Sequence, residues 1–324
     1  MTELLENRLF EVPKVAPSDL IGRFGIPPLT VFDRRQGYWQ TRRRAWLDLG
    51  IDSGKGRSAD LAYNNGTATG TDQNTSVFDP VIAETMVRWY SPANGVALDP
   101  FAGGSVRGIV SHTLGRAYYG VEIRPEQIEA NEQQFDAFIA EHQMAGTTTP
   151  CEWILGDGTD PAFVGALPSA DVVLTCPPYG DLEVYSDLAA DISTMPWREF
   201  EAAYRKAVTA SLDKLRDDRF SVWVVGNYRD KRTGHLRDLV GLTVDAHADA
   251  GASYHSEIVV VDASATGALR ASATFAARRR PIRIHQTVLV FVKGDVRLAA
   301  AACEAFSEAS PATAWWSASK PRHP

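Results

Sequence analysis

Residues 172–181 read VVLTCPPYGD, and four of them have the chemistry to act on a ligand. Cys176 carries a thiol. Pro177 and Pro178 hold carbonyls on residues that lack an N–H, and Tyr179 offers an aromatic face with a hydroxyl at its edge. A strand cannot run on through two prolines, so the apolar run before them ends there and holds all four out at its carboxyl end. Three carboxylates recur at comparable places: Asp99 closes VALD, Glu122 closes YYGVE, and Asp157 follows CEWILG. After the first, DPFAGGS places Gly103 and Gly104 where a backbone can approach a ligand closely and a helix can begin with free N–H groups. Glu122 lies 19 residues beyond Gly103, a spacing that suits an acidic side chain on a ribose diol. Each feature alone is a common turn. Four successive strand ends carrying them together define a rim.

The elements that must position these groups alternate along the chain. A helix from about Pro80 is followed by the strand GVALDP, the helix VRGIVSHTLG, the strand AYYGVEI and the helix RPEQIEANEQQFDAFIAEHQ. CEWILGD, ADVVLTCPPY, RFSVWVVGNY, YHSEIVVVD and HQTVLVFVKG continue the strands. This alternation predicts an α/β fold: a seven-stranded, mostly parallel sheet with helices on both faces, and ligands at the carboxyl ends of the strands. No helix is expected between the last two strands, which predicts an antiparallel hairpin at one edge. Composition divides the chain into an N-terminal extension (1–75) with a basic, aromatic helix and a Gly/Ser/Asn-rich loop, a core (76–295), and an Ala/Ser/Pro-rich tail (296–324) in which Trp315 and Trp316 could dock.

The 324 residues are 44% hydrophobic and 23% charged, the balance of a globular protein. No apolar run is long enough for a bilayer, and MTELLENRLF lacks the apolar core of a signal peptide, so a cytoplasmic location is expected. Cys151, Cys176 and Cys303 have no metal-ligand spacing, and no metal is expected. The net charge of −7 excludes a uniformly basic protein but not a local basic cleft. Two basic clusters stand out: Arg42, Arg43 and Arg44 between Trp39 and Trp46, and Arg278, Arg279 and Arg280 with Arg283. Each is either a solvated face or a phosphate-binding surface.

These motifs resemble those of the S-adenosylmethionine-dependent DNA amino-methyltransferases of phages and restriction–modification systems. DPFAGGS is similar to the family's cofactor motif, Asp-Pro-Phe-x-Gly-x-Gly, and TCPPY to its catalytic motif, in which Asp, Asn or Ser precedes Pro-Pro-Tyr. FDPVIAETMVRWYSP, with Phe78, resembles the helix that helps hold the methionine end of the cofactor. The resemblance covers about residues 76–295. The glycines depart from the family pattern, running Gly103-Gly104-Ser105, and Cys176 stands where the family has Asp, Asn or Ser.

The resemblance implies a Rossmann-like methyltransferase fold with S-adenosylmethionine as cofactor. It assigns Phe78, Asp99, Phe101, Gly103, Gly104, Glu122 and Asp157 to the cofactor and Cys176, Pro177, Pro178 and Tyr179 to catalysis. Asp99 would orient the methionine amino group or fix its own turn; Asp157 would meet the cofactor's adenine amine or form a turn beside Gly156 and Gly158. The partner would be duplex DNA with the target base flipped out, and the basic clusters would hold its backbone. An exocyclic amine has a lone pair delocalised into the ring, so hydrogen-bond acceptors must draw it toward a tetrahedral nucleophile. A thiol is a weak acceptor, which leaves that work to the Pro177 carbonyl. The TSPPY form, nearest to TCPPY, is associated with cytosine N4; adenine N6 is the other target. Tyr185, Asp187 and Tyr228 are candidates for the base pocket. The alternatives are an RNA amino-methyltransferase, a pyrimidine C5-methyltransferase with Cys176 as nucleophile, a non-catalytic cofactor- or nucleic-acid-binding subunit, and a cofactor-independent binding protein. The loop between the last two strands is too short for a large recognition domain, so residues 1–75, a short target or a homodimer would supply specificity.

Overall fold

A computed structural model describes residues 20, 24–52, 78–142, 149–182, 184–262, 267–303 and 305. Most of the Gly/Ser/Asn-rich loop, and Trp315 and Trp316, lie outside the described residues. The chain divides into two compact units, and the larger, Thr30–Glu304, carries the sheet. It opens with β1 (Val31–Asp33), α1 (Gly37–Asp48) and α2 (Pro80–Tyr90). Next come β2 (Val96–Asp99), α3 (Val106–Thr113), β3 (Ala117–Glu122), α4 (Pro125–Glu141), β4 (Cys151–Leu155), α5 (Pro161–Gly165) and β5 (Ala170–Thr175). After α6 (Trp197–Lys214) and β6 (Leu215–Val225), a small ribbon is formed by β7 (Tyr228–Arg229) and β8 (Leu236–Arg237). The unit ends with α7 (Leu239–Asp249), β9 (Ser253–Val261), α8 (Gly267–Arg278), β10 (His285–Lys293) and α9 (Val296–Ala302).

The sheet order is β1-β9-β10-β6-β5-β2-β3-β4, and every strand is parallel to its neighbours except β10, which is antiparallel to both β6 and β9. The mostly parallel α/β sheet read from the alternation is present, with two corrections. There are eight strands rather than seven: β1 pairs in parallel with the outer side of β9, so the antiparallel hairpin lies one strand in from the edge. Three residues are too few to show a period of two, and Val31–Asp33 become a strand because Val259–Val261 offer an open edge. The connection from β9 to β10 also contains a helix, α8, which buries only Gly267 among its described side chains and so shows no apolar core stripe.

The strand alternation sorts side chains to two layers. Val173 of β5 joins Leu98, Trp223, Leu289 and Phe291 against Val164 of α5, Phe200, Tyr204 and Val208 of α6, and Leu239 and Leu242 of α7. Burying each large side chain contributes roughly 1.5–3 kcal/mol. On the other face α2 and α3 pack together, α2 over β5 and β6 and α3 over β3. The chain runs outward from β2 through β3 to β4 and then returns to β5 on the opposite side of β2. That reversal opens a crevice at the carboxyl ends of β2 and β5, the place where sheets of this kind hold ligands.

Candidate active site

A cleft opens at that crevice. Its walls include Phe78, Phe101, Gly103, Gly104, Glu122 and Asp157 on one side and Cys176, Pro177, Pro178 and Tyr179 on the other. Phe101 and Tyr179, 78 positions apart, meet because β2, β3, β4 and β5 all end at one rim. Of the catalytic and cofactor candidates, Asp99 alone is not in the lining.

Asp99 is fully buried and all of its acceptor positions face the protein. Its Oδ1 accepts from Thr175 Oγ1 at 2.6 Å and from the Phe101 N–H at 3.2 Å; its Oδ2 accepts from Tyr118 OH at 2.8 Å and Arg107 Nε at 2.5 Å. One carboxylate thus ties the end of β2 to β5, β3 and α3. Arg107 completes the clamp by donating from Nη2 to the Phe101 and Ala102 carbonyls at 2.7 and 2.9 Å. Its guanidinium also lies 4.5 Å from the centre of the Phe78 ring. Burial disfavours its charge, but the adjacent Asp99 outweighs this and holds it above the ordinary arginine range. Sequence reasoning passed over Arg107; the one signal was an arginine in an otherwise apolar first helical turn.

Gly103 has φ +51°, and a Cβ built on it would meet nothing within 4 Å, so its backbone borders open space in the cleft. Glu122 is buried, and its Oε1 accepts the Arg124 N–H at 3.0 Å. Burial pushes its carboxyl above the usual range, against the opposing pull of the Arg124 guanidinium 3.6 Å away. Asp157 is both wall and turn: its Oδ1 accepts the Thr159 N–H at 2.8 Å while the residue lines the cleft. A side chain on Gly158 would strike the Pro100 carbonyl, so the absence of a Cβ there lets the two rim loops touch.

On the catalytic wall, Cys176 is half-buried and its Sγ lies 3.7 Å from Tyr179 OH. That hydroxyl shares its one proton between the Val224 carbonyl at 3.3 Å and Gln286 Oε1 at 3.4 Å, which anchors the ring. Burial, and then Cys176, raise the Tyr179 phenol well above its ordinary value, so it stays neutral. Gln286 lines the cleft because β10 runs antiparallel and begins where β6 ends. The signal for it was a polar residue in the His-Gln-Thr opening of a strand whose middle is apolar. Tyr185 is in the lining, whereas Asp187 is exposed and outside it. Tyr228 is also outside: it packs on Gly180, where a side chain would collide with its hydroxyl.

The first basic cluster is largely committed within the fold. Arg42 pairs with buried Glu84, which also receives Arg88 and the Trp46 indole at 3.1 and 2.8 Å. Arg43 approaches Asp79 at 4.0 Å, and only Arg44 of the three is exposed. The expectation that all three hold phosphate therefore meets a structural competitor: Arg42 and Arg43 join α1 to α2. Arg278, Arg279 and Arg280 instead face a second concavity with the ribbon residues Arg229, Lys231 and Arg232, while Arg283 is exposed and outside that lining.

Residues 39–133 match the model of the DNA methylase family. The match starts in α1, covers the Asp-Pro-Phe turn and Glu122, and stops in α4, before Cys176. No curated protein matches the chain in sequence. Among solved structures, TrmN from Thermus thermophilus aligns at 14% identity with a TM-score of 0.41, covering 67% of this chain and 49% of its own, so the chain spans about half of TrmN. A TehB-like SAM-dependent methyltransferase from Corynebacterium glutamicum aligns at 14% identity and TM-score 0.39, covering 65% and 86%. Magnesium protoporphyrin IX methyltransferase from Synechocystis, with bound SAM, aligns at 13% identity and TM-score 0.41, covering 79% and 94%. The family implies S-adenosylmethionine, and the cleft fits it: the Phe78 and Phe101 rings, the open space at Gly103 and the buried Glu122 carboxylate suit an amphipathic nucleoside. Among the described residues no helix is long and apolar enough to cross a membrane.

Proposed function

We propose that the protein methylates the exocyclic amine of a base in DNA, cytosine N4 before adenine N6. The observation that carries this reading is the meeting, in one cleft, of the turn matched by the DNA methylase family with the Cys-Pro-Pro-Tyr strand end. S-adenosylmethionine, when bound, supplies the methyl group. Glu122 accepts the ribose hydroxyls, and Gly103 and Gly104 let the backbone approach. Arg107 keeps the Asp-Pro-Phe turn rigid. Tyr179 is pinned by its hydroxyl, so its ring is a preset platform for a flipped base, with stacking on the order of 1–3 kcal/mol. The Pro177 carbonyl is the main acceptor for the amine, since the Cys176 thiol accepts weakly. Gln286, beside Tyr179, presents a carboxamide to the edge of the base. Catalysis rests on alignment of amine and methyl group rather than on a covalent intermediate.

The test is transfer of label from S-adenosylmethionine to unmodified phage and bacterial DNA, with digestion to nucleosides and mass spectrometry, for wild type and Cys176→Ala together. N4-methylcytosine or N6-methyladenine, with activity kept in the alanine variant, is the expected result. A C5-methylated pyrimidine lost in the variant would make Cys176 the nucleophile. Product on structured RNA alone would move the substrate to RNA.

A further inference from the structure

The concavity beside the active site is built from two segments far apart in sequence. One is the β7–β8 ribbon, which contributes Arg229, Lys231 and Arg232; the other is the end of α8, which contributes Arg278, Arg279 and Arg280. The ribbon is held in shape from within. Asp230 Oδ1 accepts the Arg232 and Thr233 N–H groups at 3.0 and 2.7 Å, and its Oδ2 pairs with Arg237 at 2.6 Å. Arg237 also lies 5.0 Å from the Trp197 ring centre, and Tyr228 is lodged on Gly180, so the ribbon is anchored to the segment that follows Tyr179. The one carboxylate in the turn is therefore spent on the turn itself.

Among the described residues none of the six cations is ion-paired. Arg229 donates to the Gly234 carbonyl at 3.1 Å, and Arg279 lies over the Phe275 ring at 5.8 Å. Elsewhere in this unit Arg42, Arg107 and Arg124 have carboxylate partners. A chain with a formal charge of −7 has thus gathered six uncompensated cations in one concave place. Like charges so gathered repel, and an anion removes the cost.

The concavity lies a short reach of chain from the active site. Pro281 lines the first and Gln286 the second, so at most about 17 Å of chain separates them. Arg283 lies between them in sequence and is near enough to Tyr179, Asp238 and Arg229 for their charges to act on it. At 3.4 Å of axis per nucleotide on each strand, that reach spans about five nucleotides.

We propose that this cleft between the β7–β8 ribbon and the end of α8 is the track for the sugar–phosphate backbone of duplex DNA, within about five nucleotides of the base that enters the active site. The inference rests on the DNA reading above and adds the ribbon as half of the binding surface. The contacts are to phosphate, so they set position and affinity without reading sequence.

The experiment compares the full chain with two variants, Lys231→Ala/Arg232→Ala and Arg278→Ala/Arg279→Ala/Arg280→Ala. Affinity for an unmodified DNA duplex is measured from about 50 to 200 mM salt, the range over which phosphate contacts are lost. S-adenosylmethionine binding is measured by calorimetry on the same samples. The salt slope should fall by about 1.8 in the double variant and about 2.7 in the triple, near 0.9 for each phosphate contact, with cofactor binding unchanged. Wild-type binding to DNA with an unaltered slope in both variants would overturn the cleft while leaving the methyltransferase reading intact. Cofactor binding with no affinity of the wild type for DNA would overturn the cleft and the DNA substrate together. Tighter binding of an RNA hairpin, dependent on the same residues, would overturn DNA as the occupant.

Discussion

Asp99 Oδ2 accepts a hydrogen bond from Arg107 Nε at 2.5 Å inside the protein, so the acidic residue of the Asp-Pro-Phe turn is an internal brace for the cleft it borders. Removing one partner of a buried pair leaves the other uncompensated, at a cost of roughly 3–5 kcal/mol. Asp99→Ala should therefore lose about that much stability in urea unfolding and bind S-adenosylmethionine poorly because the turn is loosened. Loss of cofactor binding at unchanged stability would instead make Asp99 a direct ligand.

Glu122 gives a pH test of the cofactor site. Burial, opposed by Arg124, raises its carboxyl above the ordinary value of 4.5. Its ionised form is the better acceptor for ribose hydroxyls, so affinity should be full at neutral pH. It should weaken as pH falls through that raised pKa, earlier than an exposed glutamate would allow. Glu122→Gln should bind roughly tenfold more weakly at pH 7, the equivalent of about 1.4 kcal/mol for one charge-assisted contact, and should flatten the acid limb. Isothermal titration between pH 5 and 8 checks both. An acid limb retained in the variant would assign it to another group.

His247 sets an acid limit on stability. It is buried and stacked on Phe291 with ring centres 3.7 Å apart. Its Nδ1–H donates to the Thr243 carbonyl at 2.8 Å, and its Nε2 lies 3.1 Å from Ser221 Oγ, which can donate to it while the ring is neutral. Burial lowers its pKa from 6.5 to about 3. A depressed value means that this contribution is fully present above pH 6.5 and is lost as pH falls toward about 3. Unfolding free energy should drop by about 1.4 kcal/mol per pH unit in that window from this residue. His247→Gln should be less stable at pH 7 and should show a correspondingly shallower acid slope in pH-dependent denaturation.

Strand 170–175 and the 220–225 part of β6 were legible because buried strands are nearly continuous apolar runs, whereas the polar first half of β6, Leu215–Asp218, carries no such signal. The rim residues were legible because a strand must end before Pro-Pro and before Asp-Pro. β1 and the β7–β8 ribbon were not, since each is two or three residues long and exists only through its partner. Gln286 was not, because its place at the rim depends on the direction of β10. The Arg42 cluster reads as a phosphate surface until the fold sets Glu84 beside it.

By itself the sequence determined which groups stand at strand ends, since chain-local rules of turn and strand chemistry suffice for that. It thereby determined the α/β class and the likeness to the DNA methylases. Only the tertiary structure decided how the charges are spent. Asp99, Arg42 and Arg43 were drawn inward by carboxylate or guanidinium partners 8 to 42 residues away, while Arg229, Lys231 and Arg232 were brought to face Arg278–Arg280 with no partner carboxylate among the described residues. Whether a charge is braced, buried or free depends on what packs against it, and that is a property of through-space neighbours.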